Sequence, residues 1–104
     1  MISIDLTKFK KISINECINH TVDSEIDSYI KRIVGDVIST GKRSHKFNEL
    51  DDDNKIEYLL KYSLIQIVPS KKWNEYSGIT ENAENDLYIM IKRHYFLSTG
   101  CFPE

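Results

Sequence analysis

The sequence predicts a mainly α protein, a compact bundle of four to six helices, and three observations carry that prediction. Apolar residues recur at steps of three and four over three long stretches, residues suited to N-capping stand before them, and only four glycines and two prolines punctuate 104 residues. Length sets the domain count, because 104 residues can bury one ordinary core and not two, so a single globular domain over 1–104 is expected. With 40% hydrophobic and 29% charged residues the chain has a globular rather than a disordered composition.

At the N-terminus Ile2, Ile4 and Leu6 alternate as a short strand would, whereas Leu6, Phe9 and Ile12 stand at helical spacing. The preferred reading is a short helix after Asp5, with a short N-terminal strand as the alternative. Ser13 followed by Glu16 is a capping-box pattern, so a helix is expected from Ile14 to His20, broken at Thr21-Val22.

The clearest helix lies between Asp23 and Gly41, where Ile26, Tyr29, Ile30, Ile33, Val34, Val37 and Ile38 make one face continuously apolar. Asp23 can cap the first turn, Glu25 and Asp27 suit its positive end, and Gly41 is expected to supply a left-handed stop. Gly35 inside this helix costs about 1 kcal/mol relative to alanine, and a close approach by another helix is the expected reason for it.

A second long helix is predicted from Asp52 to Val68, burying Ile56, Leu59, Leu60, Leu64, Ile67 and Val68, because Pro69 cannot continue it. Ser70 to Gly78 reads as a short helix or turn that Gly78 ends. A third long helix is predicted to start at Thr80 as N-cap and to carry Ala83, Leu87, Met90, Ile91, His94, Tyr95 and Leu97 before Gly100.

The formal charge of −2 does not favour attraction of the whole domain to nucleic acid or an anionic membrane, although local patches differ. Residues 1–50 hold eight Lys/Arg against seven Asp/Glu, and residues 51–104 hold six against nine. No basic leader precedes an apolar core, and no apolar run approaches the roughly 18 residues of a membrane span, so a cytoplasmic location is expected. Cys17 and Cys101 are far apart and form no CxxC pair, as for two free thiols in a reducing compartment.

Enzymatic readings fail on spacing. A phosphate loop ending at Gly41-Lys42 needs a glycine five positions earlier and Ser or Thr after the lysine, where Asp36 and Arg43 stand. A calcium loop starting at Asp51 or Asp52 would place Ile56 or Glu57 at its glycine position, which leaves at most a weak magnesium pair in Asp51 and Asp53. His20, His45 and His94 show no local zinc spacing, and the Cys17–His20 pair has no orienting third group. No catalytic residue, metal ligand or cofactor is therefore predicted.

What stands out is charge of one sign. Glu49, Asp51, Asp52, Asp53 and Glu57 crowd the mouth of the second long helix, more carboxylates than capping and the helix dipole require. Glu81, Glu84 and Asp86 open the third long helix in the same way, and Trp73 and Tyr76 between them are residue types enriched in binding hot spots. These ten residues are the predicted partner-binding surface. The expected partner is a basic protein such as a toxin nuclease domain, with this chain as the immunity protein or antitoxin that blocks its active site. The alternative is a nucleic-acid-binding regulator using Lys42, Arg43 and Lys46 with Lys71, Lys72 and Trp73 as cationic and stacking segments.

Overall fold

The computed structural model of the protein describes residues 5–99, and six of its helices begin where a side chain takes up amides of the first turn. Asp5 accepts from the Lys8 amide before α1 (Leu6–Lys11), and Ser13 from the Glu16 amide before α2 (Ile14–Asn19). Asp23 accepts from the Glu25 and Ile26 amides before α3 (Ser24–Lys42), and Ser44 from the Phe47 amide before α4 (His45–Asn48). Asp51 does the same for α5 (Asp52–Ile67), and Ser70 for α6 (Lys71–Ile79). The last helix is α7 (Ala83–Thr99).

The mainly α class is therefore as predicted, with seven helical segments among the described residues where four to six were expected; the addition is α4, a single turn started by Ser44. No strand occurs among the described residues. Ile2 and Ile4 of the alternative strand lie outside them, as do Gly100 and Cys101, and Leu6 opens α1.

The centre of the fold is α7, which packs against α1, α2, α3 and α6. Leu87, Tyr88, Ile89, Met90, Ile91 and Lys92 are all at most 1% exposed, so this helix is enclosed on every side instead of presenting one apolar stripe. The remaining core comes from the apolar faces of α3 and α5, with Phe9 of α1, Cys17 of α2, Phe47 of α4 and Trp73 of α6 closing it. Helices α3 and α5 run antiparallel: Gly41 near the end of α3 meets Phe47, which contacts Tyr58 of α5, while Lys72 beyond the end of α5 returns to Glu25 and Tyr29. The Cα radius of gyration, 13.0 Å, is that of one compact domain of this length.

Four expectations about helix ends and glycines are corrected. Gly41 does not stop α3, which runs on to Lys42 and is capped by Arg43 in the right-handed region. Its role is steric, since a Cβ there would stand 3.3 Å from the Phe47 ring. Gly35 meets nothing within 4 Å of where its Cβ would be, so no neighbouring helix requires it. Helix α6 continues through Gly78 to Ile79. Thr80 is the extended residue after α6, and α7 starts only at Ala83, after Asn82 has turned the chain with a φ of 58°. Among the described residues no helix is long and apolar enough to cross a membrane.

Candidate partner-binding surface

The acidic run at the α4–α5 junction divides into carboxylates the fold uses and carboxylates it leaves to solvent. Asp51 Oδ1 accepts from the Asn54 amide and from Asn54 Nδ2, both at 2.9 Å, so Asp51 is a helix cap. Asp53 receives Lys10 Nζ at 2.8 Å, joining α1 to α5 through a largely exposed pair. Glu49, Asp52 and Glu57 are exposed and form no ion pair among the described residues.

Beside them the outer face of α5 carries apolar groups. Tyr58, Tyr62 and Ile65 follow one another at steps of four and three, which stacks them on one side of the helix. Tyr58 is held between Phe47, at a centroid distance of 5.1 Å, and Tyr62, at 4.4 Å. Tyr62 is 42% exposed and Ile65 55%, so α5 presents an aromatic and aliphatic strip on the helix that also carries Asp52 and Glu57.

The other predicted contacts are not brought to this surface as a group. Trp73 is buried in the core against Tyr76, at 5.7 Å between rings, and is corrected from surface anchor to core residue. Asp86 is corrected likewise: it is 9% exposed and accepts from Tyr76 Oη at 3.0 Å while its other oxygen meets His20 Nε2 at 2.8 Å. Tyr76 is half-buried by the same contacts, and burial together with the Asp86 hydrogen bond pushes its hydroxyl pKa up. Glu81 and Glu84 stay exposed around the α6–α7 turn. A position in the first turn of a helix usually means solvent, but α7 is enclosed by its neighbours from Asp86 to Lys92.

A polar network missed at the sequence level explains Asp86. Arg93 Nη1 donates to the His20 carbonyl at 2.8 Å, and Arg93 Nη2 to Asp27 Oδ1 at 2.7 Å. The same carboxylate oxygen faces His94 Nε2 at 2.8 Å. Tyr76, Asp86, His20, Arg93, Asp27 and His94 thus link α6, α7, the end of α2 and α3. Burial lowers the His94 pKa, with the Asp27 hydrogen bond and charge opposing it, so the neutral ring donates from Nε2 to the carboxylate. Cys17 is fully buried and its thiol pKa is raised chiefly by that burial, which disfavours the nucleophilic thiolate. The visible signal in sequence was Lys92-Arg93-His94 set within an otherwise apolar helix.

The cationic segments are partly engaged within the fold. Lys72 Nζ lies 3.8 Å from Glu25 and 5.5 Å above the Tyr29 ring, Lys71 is 3.9 Å from Glu75, and Arg43 Nε donates to the Ser39 carbonyl. With Trp73 buried, the Lys71–Trp73 segment offers no indole for stacking on a base. Among the described residues no group of three or more His, Cys, Asp or Glu side chains is placed to hold a metal ion. Comparisons with protein-family models, with curated proteins and with solved structures find no match to this chain.

Proposed function

We propose that this protein is a small inhibitor that acts by binding, an immunity protein or antitoxin that covers the phosphate-binding groove of a basic, nuclease-type bacterial toxin. The observation that carries the proposal is α5 and its approach, where the uncommitted carboxylates Glu49, Asp52 and Glu57 stand before and along the first half of the helix and exposed Tyr62 and Ile65 follow on its second half. Carboxylates steer a basic partner and match its phosphate-binding cations, and an aromatic with an aliphatic neighbour supplies the desolvated centre that binding energy requires. Asp51 and Asp53 contribute field at the same end while serving as cap and ion pair.

The test is capture of the native partner from cells, followed by measurement of its affinity for the wild type and two variants. Glu49→Gln/Asp52→Asn/Glu57→Gln should slow association and steepen the loss of binding less with salt; Tyr62→Ala/Ile65→Ala should speed dissociation. Inhibition of a nuclease activity at one-to-one stoichiometry is the expected consequence of the complex. A partner held by both variants as tightly as by the wild type, or a captured nucleic acid in place of a protein, would refute the proposal.

A further inference from the structure

At the end of α3 opposite the Glu49–Glu57 run, a groove of about 200 Å³ opens between the first turns of α3 and the length of α6. Ile26 and Tyr76 contribute its apolar side, and Ile79, 87% exposed, stands at its rim. Asp23, Glu25 and Glu75 contribute three carboxylates against the ammonium of Lys72 in the lining and that of Lys71, 3.9 Å from Glu75, outside it. Asp23 spends Oδ1 on the amides of Glu25 and Ile26, while its second oxygen takes part in no hydrogen bond among the described residues. The lining is therefore amphipathic and net negative, which disfavours phosphate and nucleic acid and favours a cation carried on an apolar stem.

The chain already supplies a partial example of such an occupant. Lys72 lays its ammonium 3.8 Å from Glu25 Oε1 and 5.5 Å above the Tyr29 ring, at the edge where the groove meets a shallower depression lined by Ser28, Tyr29 and Arg32. A side chain arriving from outside would find Asp23 and Glu75 on the remaining length, with Tyr76 and Ile79 to cover its methylenes.

We infer that the α3–α6 groove binds a basic, amphipathic segment of a protein partner, seating one arginine or lysine with an adjacent apolar residue on Ile79. The guanidinium or ammonium faces Asp23, Glu25 and Glu75, and the stem lies along Tyr76. This contact is separate from the Glu49–Glu57 surface and stands whether or not that surface binds a toxin. Being shallow and water-exposed, it is one anchor within a larger interface, and an isolated peptide should bind it in the millimolar range.

The experiment is an NMR titration of the full chain, at low salt, with a Leu-Arg-Leu peptide capped at both ends, and with the same peptide carrying neutral citrulline for arginine. Saturable shifts are expected at the Ile79 methyls and the Tyr76 ring. Affinity should fall by about threefold to fivefold with citrulline and in Glu25→Gln/Glu75→Gln, whose parent side chains are 80% and 68% exposed and can be changed without unfolding the protein. Lys72→Ala should tighten binding by removing the competing ammonium, and Glu49→Gln/Asp52→Asn/Glu57→Gln should leave it unchanged. The inference is overturned by the absence of saturable shifts at Ile79, by equal binding of the citrulline peptide, by weaker binding to Lys72→Ala, or by a response lost only in the Glu49/Asp52/Glu57 variant.

Discussion

His94 shows how a single buried side chain converts packing into pH dependence. It is 5% exposed, shares Asp27 Oδ1 with Arg93, and faces the positive charges of Arg93 and Lys31, so desolvation and like charge outweigh the attraction of Asp27. Its pKa in the folded chain lies below the ordinary 6.5. Well above pH 6.5 the ring is neutral in both folded and unfolded chains. Below it the unfolded chain takes up a proton that the folded chain refuses, so stability is full above the ordinary value and is lost as the pH falls toward the folded value. His94→Gln keeps an N–H for Asp27 and removes the titration. Urea denaturation between pH 7 and pH 5 should give a shallower pH dependence in the variant, by at most the roughly 1.4 kcal/mol per pH unit of one proton. An unchanged slope would mean that His94 titrates alike in the folded and unfolded chains. Exposure at this scale was only partly readable in sequence: Glu49, Asp52 and Glu57 lie in water as their chemistry suggests, but whether Trp73 or Asp86 does depends on which helix covers it.

Helix starts other than that of α7 were legible, and the ends expected at glycines were not, for a reason that Gly35 and Gly41 make measurable. Asp5, Ser13 and Asp23 cap the helices whose starts they predicted, because a side-chain oxygen satisfies amides that nothing else reaches. A glycine costs a helix only about 1 kcal/mol, too little to end one by itself, and each helix runs one residue past its glycine, to Lys42 after Gly41 and to Ile79 after Gly78. Gly35 sits in open space, so Gly35→Ala should stabilise the protein by about 0.5–1 kcal/mol through helix propensity and a less flexible unfolded chain. Gly41→Ala gains the same term but pushes a methyl to 3.3 Å from the Phe47 ring, which is itself hemmed in by Tyr58 at 5.1 Å. It should be no more stable than the wild type. Denaturant midpoints of the two variants decide the matter, and equal stabilisation would show that Phe47 yields and that Gly41 has no steric role.

At the scale of the whole molecule, the least predictable feature is the enclosure of α7, and Lys92 is the residue that depends on it. The uninterrupted apolar run Leu87–Ile91 leaves no polar side to a helix, a pattern of full burial; Lys92-Arg93-His94 directly after it reads instead as a return to solvent. The fold resolves the conflict by spending the lysine on backbone. Lys92 is 0% exposed, and its ammonium donates to the carbonyls of Phe9 at 3.1 Å, Lys10 at 3.0 Å and Ile12, closing the C-terminal end of α1, where a cation complements the helix dipole. Charged groups thus hold α1 both at a buried site, through Lys92 of α7, and at an exposed one, through Lys10 and Asp53 of α5. Their energies should differ sharply, since an exposed pair contributes up to about 1 kcal/mol, whereas removing a buried donor strands its acceptors at a cost of about 1–3 kcal/mol or more. Lys92→Met, which fills similar space without a charge, should therefore lower stability well beyond Asp53→Asn. Hydrogen exchange should show α1 amides losing protection in Lys92→Met while those of α3 and α5 open only with global unfolding. If the two variants cost the same and α1 stays protected in both, the burial of Phe9 holds that helix, and the ammonium only fills a polar gap beneath it.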